Sequence, residues 1–179
     1  MIILNTKQLE NLEIRDDNRE KIRSKIKETI SKLDEDADLV ILSNVLRDPF
    51  IPYNTTDCYK VMDFVKLIYS VYLYDSKPGS ISRLLVFYLA NKLRFKEMTM
   101  KEAFIRYDNI YTKYGEDICK IDNIIMSKLI EPNLTLMILI EQKPNDMSFA
   151  KTTMRLSDKK FDDHYAELLS NIGEIIDTL

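Results

Sequence analysis

Glycine is nearly missing from this chain: there are three in 179 residues, Gly79, Gly115 and Gly173. None stands in a glycine-rich phosphate loop, which excludes a nucleotide kinase of that type, even though residues 1–4 and 134–140 could be two strands of an α/β sheet. Histidine is present once, as His164, so a histidine-based triad or a multi-histidine metal site cannot be assembled within one chain. Beside Asp163 and one turn before Leu168, His164 fits a rim position. The two cysteines, Cys58 and Cys119, form no CxxC pair, which excludes a zinc ribbon, and they are too few for a disulfide framework. Each is most simply a small buried hydrophobe. With no basic-then-apolar leader at the N-terminus, the expectation is a cytoplasmic, reducing location with free thiols, where the glycosylation patterns at Asn54 and Asn133 have no meaning. The formal net charge of -3 gives no global attraction to nucleic acid or acidic lipid. No two carboxylates share an otherwise apolar surface. Asp57 reads as a cap and Asp63 as a partner for Lys60 or Lys66. No metal, cofactor or catalytic group is expected.

What the chain has in quantity is apolar surface, 45% hydrophobic against 31% charged, enough for one globular domain over residues 1–179. Residues 58–95 organise it: two strongly apolar arms joined by the break Asp75-Ser76-Lys77-Pro78-Gly79-Ser80. An arm apolar all round belongs in a core or a membrane. A membrane span needs roughly 20 apolar residues, and Asp63 and Lys66 interrupt the first arm, so a buried helical hairpin is expected. Ser80 or Ser82 can cap its second arm. The fold class is therefore all-α, a predominantly helical bundle around this hairpin.

The other elements follow from local signals. Asp17-Asn18-Arg19-Glu20 has capping-box spacing, and Ile22, Ile26, Ile30 and Leu33 then recur on one helical face. Leu39, Leu42, Val45 and Leu46 have helical spacing, although residues 39–42 also suit a short strand, and residues 1–4 are a strand or a helix lead-in. Thr99-Met100-Lys101-Glu102 is a second capping box, ahead of a stripe of Phe104, Tyr107, Tyr111 and Tyr114 that Gly115 closes. Ile118, Ile121, Ile125 and Leu129 mark a helix ended by Pro132. Residues 134–140 are a buried strand or a short core helix, which periodicity cannot separate. Pro144-Asn145-Asp146 opens a short helix. From Asp158 a last helix carries a steady apolar stripe, broken once at Gly173.

At its turn, in Asp75, Gly79 and Arg83, the hairpin is similar to the opening of the central helix in Bcl-2-like bundles. The spacing departs from that family's compact Gly-Arg pair, no C-terminal membrane anchor is expected, and the similarity covers barely twenty residues, so it does not place the chain in the family. What it implies is a bundle whose groove takes a partner helix.

Two functional expectations result. The first is a non-enzymatic helical module that binds another protein, as an accessory or inhibitory factor. A viral, phage or low-GC source is suggested by a residue usage rich in Ile, Lys, Asn and Tyr. Its surfaces would be the loop at Phe50 and Tyr53 and the terminal stripe at Phe161, Tyr165, Leu168 and Ile172, the latter also a route to a homodimer; the competing meaning of that stripe is packing onto its own bundle. The second is nucleic-acid binding through the basic face of Arg19, Lys21, Arg23 and Lys27 together with Lys101, Arg106, Tyr107 and Tyr111, where aromatics would stack bases and cations meet phosphates. The competing meanings are a solvated face for the first helix and core for the tyrosines.

Overall fold

The computed structural model describes residues 2–6, 16–33, 39–42, 59–72, 81–144 and 146–179. In chain order these form β1 (Ile2–Asn5), α1 (Asp16–Ser31), β2 (Leu39–Leu42), α2 (Tyr59–Tyr72), α3 (Arg83–Arg94), α4 (Met100–Tyr114), a 3-10 turn (Gly115–Cys119), α5 (Lys120–Lys128), α6 (Asn133–Gln142), α7 (Met147–Met154) and α8 (Asp158–Asp177). The fold is all-α in class. Its only β structure among the described residues is the parallel pair β1 and β2, in register from Ile2 opposite Leu39 to Asn5 opposite Leu42, with α1 as the crossover between them.

The helical hairpin is the centre of the molecule. In α2, Val61, Phe64, Val65, Leu67, Ile68, Val71 and Tyr72 are buried, and in α3 Leu84, Leu85, Val86, Phe87, Leu89, Ala90 and Leu93 are. Helix α3 is the hub, packing against α2, α4, α5 and α8. Each large side chain buried there contributes about 1.5–3 kcal/mol relative to an exposed one, so this hairpin carries much of the hydrophobic drive for folding. Its turn lies outside the described residues, and with it Ser80, Asp75 and Gly79.

Two ambiguous segments resolve in opposite directions. Residues 39–42 are a strand, not the opening of a helix: pairing with β1 satisfies the backbone groups along one edge, and on the other Ile41, whose side chain is buried, gives its N–H to the Asp63 carboxylate of α2. The strand expected as an alternative at residues 134–140 is helix α6, which follows a cis Glu131–Pro132 bond and packs on α7 and α8. Among the described residues no strand edge lies beside it, and a helix satisfies its own backbone hydrogen bonds internally. Pro132 accordingly stands at the N-terminal cap of α6, while α5 has already ended at Leu129.

Candidate functional site

The terminal stripe is core. Phe161, Leu168 and Ile172 are fully buried and Tyr165 nearly so, because α8 lays this face against α3, α5 and α6. As a free surface the stripe is therefore corrected: a partner could reach Phe161, Leu168 and Ile172 only by taking the bundle apart. Phe50 and Tyr53 lie outside the described residues, as do Asp57 and Cys58.

The basic and tyrosine helices do meet, but they face each other rather than solvent. Helix α1 packs on α4. Arg19 and Arg23 are buried, and burial lowers the Arg23 pKa. Lys27 forms an ion pair with Asp108 at 2.9 Å, and Asp108 also accepts a 2.6 Å bond from the Tyr72 hydroxyl. The Tyr72 ring packs on Tyr107 and Tyr111 at centroid separations of 4.9 and 4.5 Å. Tyr107 is fully buried and accepts a bond from the Ser82 N–H. Burial drives the pKa of Tyr72, and of Tyr107, far up, so both stay neutral hydroxyls. Lys101 bonds the Leu33 carbonyl at 3.1 Å, and Arg106 is paired with Asp177 of α8. Of the eight residues named for a nucleic-acid face, Lys21 is the one fully turned to solvent. The set clamps α1 and α8 to α4, and presents no open stacking platform.

A second polar knot sits at the start of α3. Ser82 is the N-cap, accepting from the Leu85 N–H, and its hydroxyl donates to Asp122 of α5 at 2.6 Å. Asp122 also accepts from the backbone N–H groups of Arg83 and Leu84, both at 3.2 Å, so one carboxylate closes the free donors of the helix end. Burial still pushes the Asp122 pKa up against these bonds, and burial, with Asp122 nearby, does the same to Glu141. This knot joins α5 to α3.

Among the described residues, one open recess of about 710 Å³ lies along α1, lined by Glu20, Lys21, Ser24, Lys25 and Glu28, and a concave surface with an exposed aromatic lies at the opposite end of α3, where it meets α8. Helix α3 ends in a Schellman turn: the Lys96 N–H bonds the Leu93 carbonyl and the Glu97 N–H bonds the Lys92 carbonyl. Lys96 itself is left-handed, φ 57°, a conformation usually given to glycine. A 2.6 Å ion pair from Lys92 to Glu97 braces the turn. This geometry turns Phe95 outwards, leaving it 47% exposed with the Arg94 guanidinium 4.7 Å from its ring centre. On one side of Phe95 is a recess of about 310 Å³, lined among others by Tyr88, Lys92 and Leu169. On the other is one of about 260 Å³, lined by Arg94, Asp162, Tyr165 and Ala166. The floor is rigid, since the buried Asn91 donates to the Phe87 carbonyl and accepts from the Tyr165 hydroxyl, each at 2.8 Å. Tyr165 is thus the one member of the predicted stripe that reaches this surface.

Sequence reasoning passed over Phe95 as the end of a hairpin arm. The available signal was a large apolar residue set between Arg94 and Lys96, just beyond the last buried position, Leu93. Among the described residues no group of three or more His, Cys, Asp or Glu is placed to hold a metal ion, and no helix is long and apolar enough to cross a membrane. Comparison of the chain with protein-family models, with curated proteins and with solved structures finds no match in any of the three.

Proposed function

We propose that this protein is a non-enzymatic module that binds another protein chain through the groove around Phe95. The observation that carries the reading is the exposure of a large aromatic side chain between two recesses on an otherwise well-packed bundle. Exposed aromatics set in a pocketed surface are the anchors that dominate protein interfaces. The polar groups there favour recognition over reaction, because they are already committed within the chain: Asn91 to Phe87 and Tyr165, and Lys92 to Glu97.

The test is capture by the tagged chain, with Phe95→Asp beside the wild type, each with nuclease and at low and high salt. Phe95 already lies half in solvent, so the substitution is expected to change stability by only about 0.5 kcal/mol. Loss of a nuclease-resistant protein partner on Phe95→Asp supports the reading. Partners that survive Phe95→Asp, or that vanish with nuclease, count against it, and the second result would put nucleic-acid binding in its place.

A further inference from the structure

The recesses beside Phe95 have two lips, α3 and α8, and the lips differ in charge. On α3 the cations are engaged within the chain: Lys92 is held by Glu97 at 2.6 Å and the Arg94 guanidinium lies 4.7 Å from the centre of the Phe95 ring, which leaves only the exposed Lys96. On α8 the charges are not engaged. Residues 161–179 contain Asp162, Asp163, Glu167, Glu174 and Asp177 and neither lysine nor arginine. Asp177 is paired with Arg106, whereas the other four acids are exposed and form no ion pair among the described residues.

These acids stand along the groove. Asp162 lines one recess and Ser170 the other, and Asp163, Glu167, Ser170 and Glu174 succeed one another at spacings of three or four residues, so they share one face of α8. The arrangement works against the helix that carries it. Asp163 and Glu167 set like charges one turn apart, and Glu174 puts an anion in the last turn, against the helix dipole. A partner with lysines or arginines on this edge removes the repulsion; one with an acidic edge adds to it.

We propose that the partner taken by this groove is a basic segment of another protein, which seats an apolar side chain beside Phe95 and lays lysines or arginines along Asp163, Glu167 and Glu174 of α8. The proposal rests on the groove being a protein-binding surface, and it adds the chemistry of the partner. The apolar anchor supplies affinity, while the charges select among partners and speed their encounter.

The experiment is fluorescence anisotropy of a labelled amphipathic peptide of leucine and lysine titrated with the full chain, beside the same peptide with glutamate in place of lysine. The lysine peptide should bind with an affinity that falls as salt rises, and the glutamate peptide at least ~10-fold more weakly. Glu167→Lys and Glu174→Lys should each weaken the lysine peptide by ~3-fold and together by ~10-fold. Glu116→Lys, the same change of charge on the turn after α4, should have less effect than either. Phe95→Ser, which removes the ring without adding charge, should also weaken binding by ~10-fold. Circular dichroism checks that the variants are folded; should a reversal unfold the chain, Glu167→Gln and Glu174→Gln decide in its place, with a smaller weakening in the same direction. Absence of binding overturns the proposal, as does a glutamate peptide that binds equally well. Binding that Glu116→Lys weakens as much as Glu167→Lys, or that ignores Phe95→Ser, is charge attraction alone and overturns it too. Phe95-dependent capture of a protein that ignores the α8 reversals would leave the groove reading standing without this one. Capture indifferent to Phe95 as well removes both.

Discussion

Two residues show how single side chains hold this bundle and how to measure it. Asp122 caps α3 from a partly buried position, and burial raises its pKa above the ordinary carboxylate value. An acid with a raised folded-state pKa holds its proton more tightly in the fold than in the unfolded chain. Its ionisation therefore weighs against folding, fully so above the folded-state pKa, and the penalty is relieved as pH falls through that value. Glu141 acts in the same direction. The urea midpoint is thus expected to rise as pH is lowered from neutral towards the carboxylate range, and to rise less in Asp122→Asn, which keeps an acceptor without the charge. A midpoint that falls equally in both proteins would contradict this. Asp122→Ala, which leaves Ser82 and two backbone donors without their acceptor, should cost about 1–3 kcal/mol at any of these pH values. Gly173 is the second case. A Cβ there would lie 2.7 Å from the Tyr88 hydroxyl and 3.2 Å from its ring, so the glycine exists to let Tyr88 approach α8. Gly173→Ala should stabilise the Tyr88→Phe protein by up to ~1 kcal/mol through helix propensity, and the wild type by clearly less. Equal shifts in thermal melts of the two backgrounds would show that Tyr88 yields freely.

At the scale of elements, the scarcity of glycine is visible in how helices end. Both α3 and α7 close on a left-handed residue with a side chain, Lys96 at φ 57° and Arg155 at φ 56°, each within a Schellman turn. A left-handed non-glycine residue costs about 1–2 kcal/mol, so Lys96→Gly and Arg155→Gly should each raise stability, by ~1 kcal/mol after the added chain entropy is subtracted. Thermal melts of the two single variants and the double would check both size and additivity. Helix starts were legible for the opposite reason. Thr99 accepts from the Glu102 N–H and Ser82 from the Leu85 N–H, as their spacing predicts, because a cap involves residues three apart and needs nothing from the rest of the chain. Residues 39–42 and 134–140 were not legible: both are short apolar runs, and which one pairs with β1 depends on a partner distant in sequence.

For the whole molecule, the class of fold and its central hairpin could be read from residues 58–95, because arms without a polar face can only go inside. The candidate site could not. The stripe from Phe161 to Ile172 looks the same in sequence whether it meets its own bundle or a stranger. Arg19 and Arg23 resemble a solvated basic face in sequence, yet both are buried, Arg23 beside Tyr111 of α4. Phe95 became a surface feature through a turn made by lysine where glycine would have announced it.

The parallel pairing of β1 with β2 orders events in time. Strand β1 is synthesised before the helix that must cross over it and before the strand that completes it. The supports of this N-terminal unit come later still: Asp63 on α2 holds Ile41, Asp108 on α4 holds Lys27, and Lys101 holds the end of α1 at Leu33. The segment that leaves the ribosome first is thus one whose supports are complete only after residues as far along as Lys101 and Asp108 have followed it.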